Sequence, residues 1–370
     1  MNETNLRTQQ INYPAQTNVE ATAVPRPHHP VTFKRPVLAS LGMKATALAH
    51  PIQGLVKYHG MRDDIERLPY HDSISVCTAP SHTKTTAEFS AEYDEDTFVV
   101  DGEELEGRGA ERVDAVLEKV REKTDSDHAE QPVRLVSEND FQTNVGLGSS
   151  SSGFAAAAMA LSEAAGIDAD REEISTIARV GSASAARAVT GAFSQLYTGL
   201  NDEDCRSRRI ETGLEDDLTT VVGLVPYHKE TEDAHNEAAD SHMFQARNAH
   251  IHGQIAEMRD ALRNDDFDAA FSLAEHDSLS LAATTMTGPS GWVYWQPATL
   301  EIFNRVRKLR QEEDIPVYFS TDTGASVYVN TLEEHADRVE SEVADCGVET
   351  MVWGVGGPAQ ILEDDAEQLF

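Results

Sequence analysis

Lysine and arginine are scarce in this chain, 30 residues against 64 aspartates and glutamates, which leaves a formal net charge of -34 over 370 residues. A surface carrying that field repels polyanions, so nucleic acid and anionic membranes are excluded as expected partners. Cysteine is scarcer still. Cys77, Cys205 and Cys346 are odd in number, far apart and without a CxxC pair, which excludes a disulfide framework and points to a reducing cytoplasm. The chain also lacks any run of eighteen apolar residues, and its opening "MNETNLRTQQINYPAQ" lacks an apolar core. Neither a membrane span nor a signal peptide is expected, and a soluble intracellular protein is.

Hydrophobic residues make up 40% of the chain, enough at this length for two domains with proper cores. The acidic residues sit in short runs such as "EYDEDTF", "NDEDC" and "RNDDFD" spread over the whole sequence. A docking face would concentrate them. Dispersal reads as a surface adapted to high salt, where screening suppresses self-repulsion, so stability is expected to depend on salt.

Residues 1–30 are polar and end in "VPRPHHP", an extension whose His28 and His29 read as solvated tail. Between residues 31 and 107, β-type runs ("SISVCTA", "TKTTAEFSAEY", "TFVVDGEEL") alternate with turns, and "VDGEE" signals a hairpin in a mostly antiparallel sheet. "RVDAVLEKVREKTD" predicts an amphipathic helix with Val113, Val116, Leu117 and Val120 on one face. Further helices are expected over 152–165 and 171–190. The second half repeats the mixture, closing with "VETMVWGVGGPAQIL" as one strand. No internal repeat shows itself. The economical architecture is α+β with two domains, 31–215 and 216–370. His228, His235 and His242 recur every seven residues, and with no pattern of groups placed to support their rings they carry no metal assignment.

One stretch stands out, "NVGLGSSSSGFAAAAMAL" from Asn144 to Leu161. Glycines permit a tight turn, and a helix starting directly after it aims unpaired N–H groups and a positive dipole end at the loop. Serine hydroxyls add donors for phosphate oxygens or ligands for Mg²⁺. A serine cap on a buried alanine helix explains the same letters. No lysine follows the glycines, so the loop is not of the GxxxxGK[ST] type.

Several segments, in order, resemble one family. "HPIQGLVKYHGMRD" and "LPYHDSISV" are similar to the IKYWGK[RK]D and LPxNxSxSV elements of the mevalonate-pathway decarboxylases, "NVGLGSSSSGFAA" to the phosphate loop they share with the GHMP kinase superfamily, and "ARVGSASAARAVTGAF" to ARxGSGSACRSxxGGF. "STDTGASVYV" resembles the element with the family's catalytic aspartate, and "GVGGPAQIL" its last glycine-rich strand. The likeness spans nearly all of residues 44–362. It implies a GHMP kinase-like fold with a ribosomal protein S5 domain 2-like N-terminal domain and a ferredoxin-like C-terminal domain. It also implies a homodimer, ATP with Mg²⁺, and a phosphorylated hydroxy-acid substrate.

By the same resemblance, Asn144, Gly146, Gly148, Ser149, Ser150 and Ser151 wrap the ATP phosphates. Asp322 is the carboxylate beside the substrate's tertiary hydroxyl, and Lys57 the cation near the substrate carboxylate and the travelling phosphoryl group. Arg187 with Ser182, Ala183 and Ser184 grips the substrate phosphate, arginine's fork suiting it bidentately. Tyr58, His59, Gly60, Met61, Ser73 and Lys84 fall on other substrate-side positions. Departures matter too. Asn144 stands where a proline is common, Gln53 for an asparagine, His59 for the tryptophan and Met61 for the lysine of WGK. One cation fewer favours a monophosphate tail, so the expected reaction is decarboxylation of mevalonate 5-phosphate, as in archaeal-type members, with the diphosphate as the alternative. A mevalonate 3-kinase or another small-molecule kinase of the superfamily is less favoured, because the Asp322 and Lys57 contexts are retained.

Overall fold

Alternating small apolar residues carry β1 (Lys44–Ala49) into a core, with Ala45, Ala47 and Ala49 buried. The computed structural model describes residues 44–141, 147–226 and 237–370. The expected N-terminal extension, His28 and His29, His228 and His235, and Asn144 and Gly146 of the loop lie outside them.

Strand β1 belongs to a six-stranded sheet with β6 (Thr83–Phe89), β7 (Thr97–Val100), β8 (Glu103–Glu104), β9 (Val133–Asn139) and β16 (Gln360–Leu362), in the order β16-β1-β6-β9-β7-β8. All its pairs are antiparallel except β7 with β9. Helices α1 (Arg108–Lys123), α2 (Ser149–Ala164) and α3 (Arg171–Gly181) pack into the core it shares, around Phe89, Leu117, Leu135, Leu161 and Ile177. The alanines of α2 let that helix lie close to the strands, since Ala155 to Ala158 are all buried.

A second, eight-stranded sheet contains β2 (Ile52–Val56), β5 (Ser73–Ala79), β10 (Phe193–Tyr197), β11 (Arg206–Arg209), β12 (Leu218–Leu224), β13 (Val317–Ser320), β14 (Val327–Leu332) and β15 (Glu349–Val355). Strand β5 pairs with β10, with β2 and, at Thr78 and Ala79, with β15. The sheet therefore runs continuously from segments before residue 215 to segments after it. Helix α4 (Ala185–Thr190) lies beside β5 and β10. Helices α5 (Phe244–Arg263) and α6 (Phe267–Met286) pack on β2 and β5, while α7 (Pro297–Glu312) and α8 (Ala336–Ala344) cover β12 to β14. A short hairpin of β3 (Met61–Asp63) and β4 (Leu68–Pro69) follows β2. Among the described residues, no helix is long and apolar enough to cross a membrane.

Two expected elements are each divided. The helix expected over 171–190 breaks at Ser182, whose backbone is extended (φ -161°, ψ 126°) between α3 and α4. Gly181 weakens the helix, and the hydroxyls of Ser182 and Ser184 bond each other at 2.8 Å, the local competition that serines offer helical backbone. The closing segment is two strands, because "GGPA" interrupts the ladder and sends β16 to the other sheet beside β1. The expected hairpin forms between β7 and β8, with Asp101 and Gly102 both at positive φ.

Candidate active site

The site begins at an irregularity. Strand β2 shifts register against β5 between Gly54 and Val56, a bulge that bends the strand just before Lys57. Gly54 opposes Ser75, its N–H donates to Asp322 Oδ1 at 3.3 Å, and its carbonyl accepts from Ser320 Oγ at 3.2 Å. A Cβ at Gly54 would stand 2.7 Å from Lys57 Cγ and 2.8 Å from Asp322 Oδ1. Glycine is thus what lets the lysine stem and the aspartate lie against one patch of backbone.

Lys57 is buried, 5% exposed, and its Nζ donates to Ser278 Oγ at 3.1 Å and Asp277 Oδ2 at 3.4 Å. Its backbone N–H donates to the same Oδ2 at 3.0 Å. Burial lowers the ammonium's pKa, with Asp277 and Asp322 opposing that shift and Arg247 adding to it. Asp322 sits in the β13–β14 turn, beside a small cleft walled by Leu281, Met286, Tyr294 and Trp295.

Along the same face of β5, Ser75 and then Ser73 follow, since alternate residues of a strand share a face, roughly 7 Å apart. Ser73 Oγ accepts from Arg187 Nη1. Ser75 is fully buried, and its hydroxyl has no hydrogen-bond partner among the described residues. Arg187, on α4, is buried with its guanidinium carbon 5.4 Å from the centre of the Tyr58 ring, and it senses the charge of Asp322. Tyr58 bonds Ser184, and burial raises its pKa. Ser184 in turn meets Ser182. Ala183 and Met61 pack in one small apolar cluster with Tyr58, Leu68 and Ala186. His59 is fully buried, and Gly60 turns the chain at φ +80° towards β3.

The described part of the loop reaches the same region. Gly148 precedes α2 at φ +78°, and among the described residues no side-chain cap bond is made at that end of the helix. A Cβ there would come 3.0 Å from Ile52 O and 3.2 Å from Ser151 Oγ, so the turn holds only glycine without strain. The hydroxyl of Ser151 is committed elsewhere: it donates to Gly148 O at 2.6 Å and accepts from Ile52 N at 3.1 Å, tying the loop to β2. Ser149 is half-buried and Ser150 exposed in the first turn. An uncapped helix N-terminus behind a glycine turn fits phosphate oxygens. Among the described residues, no group of three or more His, Cys, Asp or Glu side chains could hold a metal. Mg²⁺ suits such a place when phosphate oxygens and hydroxyls supply its ligands.

Lys84 does not join these residues. Strand parity places it opposite Thr83, whose hydroxyl meets Ser152 of α2 at 2.7 Å, and its Nζ pairs with Glu367 at 2.9 Å. Conversely, sequence reasoning overlooks Asp277, Ser278 and Arg247. The signal is present: Asp277 falls in the buried stripe Ala270, Phe271, Ala274, Leu281 of α6, where an apolar residue belongs, and Arg247 falls in the stripe Phe244, Ile251, Ile255, Met258 of α5.

The chain is similar to known proteins over most of its length. The family profile described as Diphosphomevalonate decarboxylase-like N-terminal domain matches residues 49–207. The phosphomevalonate decarboxylase of Haloferax volcanii is 74% identical over 328 residues, 89% of this chain and 100% of that protein. Among solved structures, mevalonate diphosphate decarboxylase from Staphylococcus aureus superposes with a TM-score of 0.81 at 25% identity, covering 86% of this chain and 98% of that one. MDDEF in complex with MVAPP, AMPPCP and magnesium gives 0.80 at 26% identity, covering 87% and 99%. Family members thus bind an ATP analogue and magnesium on this fold, and the chain described here belongs to the mevalonate-pathway decarboxylase family of the GHMP kinase superfamily.

Proposed function

We propose that the protein catalyses the ATP-dependent decarboxylation of mevalonate 5-phosphate, giving isopentenyl phosphate, CO₂, ADP and phosphate. The observation that carries this is one buried face: Lys57 and Asp322 across Gly54, the unpartnered Ser75 hydroxyl, then Ser73 with Arg187. A short hydroxy acid with its reacting carbon at one end and a phosphate at the other spans such a face. The Haloferax volcanii relative, named for this reaction and highly identical, supports the same substrate.

Asp322 orients the tertiary hydroxyl and takes its proton as that oxygen receives the γ-phosphoryl group, for which phosphoryl transfer needs placement and countercharge more than covalent help. Phosphate then leaves with the C–O electron pair. The C–C bond to the carboxylate breaks, its electrons form the alkene, and CO₂ departs. Lys57 holds the substrate carboxylate and offsets charge on the transferred group, in a site dry enough for that charge to count. Arg187, Ser182 and Ser184 hold the 5-phosphate, with Tyr58 steadying Ser184. Ser149, Ser150 and the N–H groups at the start of α2 receive the ATP phosphates, and Mg²⁺, when bound, neutralises their charge. Met61 supplies no cation beside the tail phosphate, which favours one phosphate over two.

The setting that suits the composition is a salty cytoplasm. Incubating the protein in high salt with ATP, Mg²⁺ and mevalonate 5-phosphate tests the reading: CO₂ and ADP should appear one to one, with isopentenyl phosphate by mass. ADP accompanied by a 3-phosphorylated acid and no CO₂ would identify a kinase instead.

A further inference from the structure

Two charged side chains lie together in the interior behind the proposed catalytic lysine. Asp277 is 0% exposed and Arg247 3%, in two different helices; Asp277 reaches the backbone and side chain of Lys57, and Arg247 its backbone carbonyl. Asp277 Oδ2 accepts from Lys57 N and Nζ, its Oδ1 accepts from Arg247 Nη2 at 2.9 Å, and the same Nη2 donates to Lys57 O at 2.7 Å. Ser278, one residue on, accepts from Lys57 Nζ and donates to Ala274 O, while its oxygen also receives Thr321 N at 3.1 Å, directly before Asp322. Helix α6 thereby grips both strand ends that deliver Lys57 and Asp322.

Burying charges in a helix stripe is costly, and apolar residues of like size would pack there without that cost. The arrangement has a use that packing lacks. We infer that Asp277 and Arg247 are positioning residues for Lys57: Asp277 holds the ammonium protonated and aimed across Gly54, while Arg247 fixes Asp277 and limits how strongly it binds the lysine. This rests on the decarboxylase reading given above. The charged groups facing Lys57 are Asp277 from α6, Arg247 from α5 and Asp322 from the β13–β14 turn, and the two carboxylates and the arginine act on it with opposite sign. His71, which faces Arg247 and Asp277 from the segment before β5, is held neutral by burial, its pKa lowered to about 4.

The two residues therefore make opposite predictions, which a purely structural role would not. The readout is the pH profile of kcat/KM for CO₂ release from mevalonate 5-phosphate at saturating ATP, with nucleotide affinity measured by calorimetry. Asp277→Asn keeps an acceptor but loses the charge, so the alkaline limb should move down by about one pH unit or more. Near pH 8 its kcat should fall about a hundredfold, with ATP affinity within about twofold of wild type. Arg247→Gln should move the limb up. Ser278→Ala, a small change that removes a neutral acceptor of Nζ, should move it down and keeps the test available where Asp277→Asn does not fold. Limbs that stay in place, or that move in one direction in both charge variants, overturn the inference. A wild-type protein that releases no CO₂ overturns the decarboxylase reading instead, a result distinct from an active enzyme whose variants keep its profile.

Discussion

Gly54 has no side chain, and that lets Lys57 and Asp322 approach the same stretch of β2. Because a Cβ would overlap both Lys57 and Asp322, Gly54→Ala should leave the fold intact and push the two groups apart by a fraction of an ångström. A misplacement of about 1 Å costs about a hundredfold, so this smaller shift should lower kcat by about tenfold. Circular dichroism and turnover measured side by side check this, and an alanine variant with more than half of wild-type activity would remove Gly54 from the account. Nothing in "IQGLVKYHG" announces the role, because the contact is with a residue 268 positions away. Lys57, Asp322 and Arg187 stand out in the sequence for the opposite reason, being carried by local motifs. His71 supplies a stability prediction with a definite sign. Its pKa falls from 6.5 to about 4 through burial first, then the nearby Arg247, against an opposing bond to Asp72 O. The unfolded chain takes up the proton below pH 6.5 and the folded one does not until about pH 4, so this group removes stability as pH falls through that window. The loss approaches about 3 kcal/mol by the lower end. Denaturant unfolding at pH 7.5 and 5 should show a smaller drop for His71→Asn than for wild type. An equal drop would mean that the histidine takes up its proton equally in both states.

At the scale of elements, periodicity served well where one face meets the core. Helix α1 buries the four residues named from its spacing, and β7 and β8 close around the expected turn. It served badly where the tertiary structure imposes a break. The extended Ser182 between α3 and α4 lets the hydroxyls of Ser182 and Ser184 meet next to Tyr58 and Arg187, and no 3.6-residue pattern signals that. Lys84 points away from Thr83 and α2, since adjacent strand residues face opposite sides, and its Nζ pairs with Glu367. The start of α2 combines both lessons. Its glycine turn and the helix start directly after it were legible, whereas the bond by which Ser151 holds the loop against β2 was not. Gly148→Val would place a branched side chain at φ +78° against Ile52 O and Ser151. ATP affinity by calorimetry should then fall at least tenfold, by the removal of charge-assisted contacts worth about 1.5 to 3 kcal/mol each. A folded variant that still binds ATP as wild type does would reduce the loop to a helix cap.

For the whole molecule, a net charge of -34 repels itself more strongly than the described ion pairs can offset at low ionic strength. Raising KCl from about 0.1 M to about 1 M shortens the screening length from about 10 Å to about 3 Å, so Tm should climb steadily over that range. A flat or falling Tm would disconnect the composition from salt. Charge and length were open to reading from composition alone, whereas the continuous sheet that ties β5 to β15 was not, because strand pairing is a long-range choice. That sheet carries Gly54, Ser73, Ser75 and Ser320 on β2, β5 and β13, the strands on which the proposed site is built. The central claim is that this scaffold accepts a single tail phosphate, gripped by Arg187 and the serines, with the apolar Met61 rather than a lysine packed near Tyr58. The most direct measurement is kcat/KM for CO₂ release from mevalonate 5-phosphate and from its diphosphate, in the same high-salt buffer with ATP and Mg²⁺. The account predicts a preference for the monophosphate of about tenfold or more, the worth of one charge-assisted contact. An equal or higher value for the diphosphate would contradict it.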